Sequence, residues 1–131
     1  MSEALDGVPA ALPMPPPRDA AVVVLFRRVA SGAEVFWIER ERRLSFAGGF
    51  FAFPGGKTDK ADGEDEGGFI VSAARELFEE TGVLKASGSE RLSQADLDEL
   101  RKALLEETLT FSALLSSRSL TLNADEFIPA G

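Results

Sequence analysis

No cysteine, histidine or tyrosine occurs among the 131 residues of this chain. Without cysteine there are no disulfides, no thiolate nucleophile and no zinc–thiolate site. Without histidine, Ser-His-Asp and Cys-His catalysis are excluded, and so are imidazole metal sites. Any acid–base work falls to Asp, Glu, Lys or Arg, and a metal site has to be built from oxygen, which suits hard cations such as Mg2+ or Mn2+. Also missing is an apolar run near the roughly 18 to 20 residues that a membrane-spanning helix requires. The longest, Ala20 to Phe26, is strand-sized. The N-terminus lacks the basic start and apolar stretch of a signal peptide, so a cytoplasmic location and no membrane partner are expected. Basic residues are in deficit, 14 against 22 acidic for a net charge of −8, which argues against a nucleic acid polymer as partner. A small phosphorylated substrate stays compatible with that charge if a cation offsets the repulsion locally.

What is present fits one globular domain. The length suffices for one core and not two, and 44% of the residues are hydrophobic. Residues 1–18 hold most of the seven prolines and read as a leader or extended arm, leaving 19–131 as the domain. Ala20 to Phe26 is apolar throughout and rich in valine, as expected of a strand buried on both faces. Arg27 to Ala33 reads as a turn, and Glu34 to Arg40 as the hairpin partner of the first strand. Arg40 to Gly49 is a charged connector. Phe50 to Phe53 is a short third strand stopped by Pro54-Gly55-Gly56. Lys57 to Gly67 is a polar loop holding Asp59, Asp62, Glu64, Asp65 and Glu66.

From Gly68 to Thr81 the pattern becomes helical, with Gly82 placed to end the helix. Ser93 to Asp96 resembles a capping box and opens a helix to about Glu107, with Leu97, Leu100, Leu104 and Leu105 on one face. Thr110 caps a short helix through Phe111, Leu114 and Leu115. Phe127-Ile128 reads as the opening of another strand. Strands, then helices, then a returning strand make a layered α/β domain.

The chemistry concentrates in Arg75 to Glu80. At 100° per residue, with Arg75 at 0°, Glu79 falls at 40°, Glu76 at 100° and Glu80 at 140°, while Ile70, Ala74, Leu77 and Phe78 fall on the opposite side. By itself this is also the pattern of an amphipathic helix with a solvated acidic face, and Arg75–Glu79 is a stabilising (i, i+4) pair. Two features weigh against that reading. Glu76, Glu79 and Glu80 repel one another at (i, i+3) and (i, i+4), and the last two stand where the helix dipole disfavours anions. A divalent cation reverses the sign of both penalties. The bare backbone of Gly55-Gly56 before the helix permits close approach by metal or phosphate.

Phe53-Pro-Gly-Gly-Lys57 followed by Arg75-Glu-Leu-Phe-Glu-Glu-Thr-Gly-Val83 resembles the Nudix box, and the resemblance spans about residues 19 to 128. It implies an α/β/α sandwich around a mixed sheet. It also implies Mg2+- or Mn2+-dependent hydrolysis of a small-molecule diphosphate, namely a nucleoside diphosphate linked to another group. Carried over position by position, Glu76, Glu79 and Glu80 are the metal-binding acids and Gly56 supplies a backbone carbonyl. Arg75 orients the glutamates, and Glu76 is the box residue favoured as base. A non-catalytic Nudix-like module that binds a nucleotide or protein is the alternative, usually marked by loss of box glutamates, all of which are present here.

The resemblance has two departures. The usual box places its Arg 14 residues after its Gly, whereas Gly56 and Arg75 are 19 apart. Counting back from Arg75 puts Gly67 where the first box Glu belongs, so either the loop with Asp59, Asp62 and Glu64 supplies a substitute or that Glu's supporting role is lost. The longer loop resembles the branch that includes coenzyme A diphosphatases. Second, family members usually continue past the helix that follows the box, so the chain is expected to lack its last strands. An unpaired sheet edge would then invite a homodimer or a strand swap.

Overall fold

A computed structural model describes residues 19–39, 49, 51–58, 62 and 66–129. The expected leader, most of the 40–49 connector, and Asp59, Glu64 and Asp65 of the polar loop lie outside the described residues. The chain is α/β. Among the described residues six strands come first: β1 (Ala20–Val22), β2 (Phe26–Val29), β3 (Gly32–Val35), β4 (Ile38–Glu39), β5 (Phe51–Ala52) and β6 (Gly55–Lys57). Helices α1 (Glu66–Thr81), α2 (Gln94–Leu105) and α3 (Phe111–Ser117) follow, with short 3-10 turns at Ser89–Arg91 and Ala124–Glu126. The described strands pair antiparallel, β1 with β6, β2 with β3 and β4 with β5.

The apolar run from Ala20 differs from the expected strand in two ways. It changes partner along its length. Ala20–Val22 pairs with Gly55–Lys57, the Val23 N–H donates to Pro54 O at 2.8 Å, and from Phe26 the segment pairs with β3. It is also buried on one face only: Ala21 is buried, Val23 and Leu25 are half-buried, and Val22, Val24 and Phe26 are exposed. This is the period-2 alternation of a strand covered from one side; α1 packs on β1 and β6 from that side. The hairpin turn is tighter than Arg27–Ala33. It occupies Ala30-Ser31, with Arg27 opposite Glu34 and joined to it by an exposed ion pair at 2.5 Å. The two arginines that read as a turn are strand residues on a wet face, where a cross-strand charge pair replaces apolar packing.

The helices follow the sequence more closely. Gly82 closes α1 with φ +78°, and its N–H reaches Phe78 O at 2.8 Å. The Ser93–Asp96 capping box of α2 is complete, and Thr110 caps α3 through the Ala113 N–H. The main core joins Ala74 and Phe78 of α1 to Leu84, Ala86, Leu100, Leu104, Phe111, Leu114 and Leu120. Ala73 and Leu77 are buried outside that cluster. Helix α1 is thus sandwiched between the β1–β6 pair and the other helices. Phe127-Ile128 forms no strand among the described residues. Phe127 ends a 3-10 turn capped by Asn123 and packs half-buried on the core. No helix of the described residues is long and apolar enough to cross a membrane.

Candidate active site

The strand Phe51–Ala52 does stop ahead of Pro54, as its composition suggests, but Gly55 and Gly56 are not turn residues: they open the next strand, opposite Val22 and Ala21. Their lack of side chains is what lets β6 lie close beside β1 and against Glu76 of α1. A Cβ on Gly55 would sit 2.5 Å from Ala21 O and 2.8 Å from Val22 Cα. A Cβ on Gly56 would meet the Glu76 carboxylate instead, 2.6 Å from Cδ and 2.8 Å from Oε2. The first obstacle is backbone and the second is the tip of a flexible side chain. Gly55→Ala is therefore expected to cost about 1 to 3 kcal/mol of stability, as overpacking does. Gly56→Ala should cost less and displace the Glu76 carboxylate. Thermal unfolding beside a Mn2+ titration separates the two; a Gly56→Ala protein that binds metal normally would contradict the assignment.

Arg75 organises the acids. It is nearly buried, and its Nη1 donates to Glu76 Oε1 at 3.1 Å and to Glu79 Oε1 at 3.2 Å. On the other edge of the guanidinium, Nη2 donates to Asp62 Oδ2 at 3.1 Å and to Lys57 O at 3.3 Å, and Nε approaches Asp62 Oδ1 at 3.4 Å. Burial works against the Arg75 charge, but the hydrogen bond and charge of Asp62, with Glu79 and Glu76, outweigh it and hold the guanidinium above its usual range. The Asp62 side chain is 4% exposed. Of the three loop acids that could substitute for the first box Glu, Asp62 is the one seen to meet Arg75 among the described residues. Counting forward, the box spacing puts its first acid six residues after Gly56, which is Asp62. The extra residues therefore lie between Asp62 and Arg75.

Glu76 stands in a mixed electrostatic environment. Burial pushes its carboxyl above the ordinary carboxylate range; Arg75 pulls the other way, and the charges of Glu79 and Glu80 push it further up. Glu79 lies beside Arg75, whereas Glu80 is exposed and acts on Glu76 through its field. Among the described residues no three acids converge as a metal cage. What does converge is the Glu76 carboxylate against the side-chain-free Gly56. That cradle would be filled by any larger residue. An oxygen-only donor set fits a hard divalent cation.

The last turn of α1 is closed by side chains. Thr81 Oγ1 donates to Leu77 O at 2.6 Å and accepts from the Val83 N–H at 3.1 Å. Arg101 of α2 donates its Nε–H to the Glu79 carbonyl at 2.8 Å.

Comparison with known proteins agrees with this geometry. The family model described as NUDIX domain matches residues 16–121. A Caenorhabditis elegans protein named "Putative nudix hydrolase 7" is 32% identical over 113 residues, 85% of this chain and 36% of that protein. The crystal structure of a NUDIX hydrolase from Alicyclobacillus acidocaldarius is similar with a TM-score of 0.58 and 32% identity, over 81% of this chain and 56% of the other. The chain thus spans about a third to just over half of the length of these relatives.

Proposed function

This chain belongs to the Nudix family, and we propose that it is a metal-dependent hydrolase acting on the diphosphate linkage of a nucleoside diphosphate joined to another group. The observation that carries the reading is the Glu76 carboxylate, held above its usual range and pressed against bare Gly56 on an Arg-Glu…Glu-Glu helix. Glu76, Glu79, Glu80 and the Gly56 carbonyl would hold Mg2+ or Mn2+. Such an ion, when bound, supplies a polarised phosphoryl oxygen and a more acidic water.

The chain's own contributions are separable. Glu76, whose carboxylate lies against Gly56, is the box residue assigned to accept a proton from water. Arg75 is a positioning residue, since it fixes Glu76 and Glu79 from one edge while Asp62 and the Lys57 carbonyl fix it from the other. Leu77 and Phe78, fully buried, hold the helix so that its acids cannot rotate away.

A panel of nucleoside diphosphate derivatives, coenzyme A derivatives among them, tests the reading with Mg2+ present and with chelator. Magnesium calorimetry should show a saturable site, lost in Glu79→Gln and Glu80→Gln variants that still fold. Saturable binding without product release would mark a binding module; no saturable site would leave only a solvated acidic face.

A further inference from the structure

We infer that Arg101, on α2, is a positioning residue for the acidic last turn of α1, an inference that rests on the metal-dependent reading of that turn. Helix α1 ends with Glu79 and Glu80 and has no basic residue of its own there. The negative end of its dipole and the two carboxylates therefore act in the same sense. The bonds from Gly82 and Thr81 that close the turn are local and would serve any helix end. The bond from Arg101 comes from 22 residues further along the chain, from a charged donor, at 2.8 Å. It ties the backbone of Glu79 to a second helix.

Arg101 is itself anchored. Its neighbours Leu100 and Leu104 are buried in the core beside Ala74 and Phe78 of α1. Its Cδ would stand 3.8 Å from a Cβ on Gly82, so it runs along the helix end. Glu79 is thereby gripped twice, its side chain by Arg75 and its main chain by Arg101. Loosening the second grip leaves the last turn to fray, and the ordering of Glu79 and Glu80 must then be supplied when a cation binds.

The sign of the effect separates this role from plain charge. A cation near a cation site opposes binding, so charge alone predicts tighter binding once Arg101 is removed. The positioning role predicts weaker binding.

Arg101→Met and Arg101→Lys can be compared with the full chain by Mn2+ titration at fixed ionic strength, and by hydrogen exchange of the Gly82 and Val83 amides in chelator. Arg101→Met should raise the Mn2+ Kd roughly tenfold, at the low end for partners that orient metal ligands, and speed exchange at both amides. Arg101→Lys, with charge but no fork, should recover part of each. An unchanged or lower Kd in folded Arg101→Met overturns the inference while leaving the metal reading intact. Should that variant not fold, a wild-type Kd in Arg101→Lys overturns it equally. No saturable Mn2+ binding by the unaltered chain overturns both.

Discussion

Replacing Glu76 by Gln is expected to lower the turnover of a diphosphate substrate by about 10²- to 10⁴-fold, the range spanned by a positioned proton acceptor, while leaving the fold in place. The substitution keeps the shape of the side chain beside Gly56 and removes its charge and its capacity to accept a proton. Stability should not suffer, because the ionised carboxylate is held there against its preference. The pH dependence gives an independent check. Glu76 has a folded-state pKa above its unfolded one, so its contribution to stability is present below the unfolded value and is lost as pH rises through the folded value. Metal-free wild type should therefore lose stability as pH climbs upward from the carboxylate range, and Glu76→Gln should lack that part of the slope. Urea denaturation in chelator at a series of pH values measures it. Wild-type turnover in this variant would remove Glu76 from the chemistry.

The second large effect is on the fold. Arg75→Met should cost about 3 to 5 kcal/mol, as removal of one partner from a buried ion pair does, and should abolish metal binding in whatever folds. One guanidinium meets Asp62, Glu76 and Glu79. Taking it away leaves several acids crowded together with little solvent around Asp62. The deficit should shrink in acid, where carboxylates lose their charge, and calorimetric unfolding at pH 7 and at acid pH tests that trend. Arg75→Lys should recover only part, since an ammonium cannot present two edges at once. A fully stable Arg75→Met protein would show that Arg75 does not hold these segments together.

The helical half of the fold was legible in the residues because its signals are local. Gly82 after Thr81, Ser93 before Asp96, and Thr110 before Phe111 each act within a turn. The wheel that put Arg75, Glu76 and Glu79 on one side needed only the helical period, and Arg75 does touch both glutamates. The strands were read less well because their partners are distant in sequence. Nothing near Ala20 announces that it pairs with Lys57, or that β1 and β2 divide one extended segment between two partners. Gly55-Gly56 read as a turn because glycine usually punctuates; here it serves close approach between β1 and α1. Nothing in the sequence around Arg101 marks it. Its role depends on the packing of α2 on α1, and no motif marks a side chain that binds a carbonyl on another helix.

The tie between Asp62 and Arg75 bears on how such chains can be found. Because Asp62 keeps the box distance from Gly56 and still meets Arg75, the departure in spacing falls between two residues that remain in contact. A search pattern with rigid spacing would pass over relatives like this one, whereas a pattern pinned at both ends with an elastic middle would recover them.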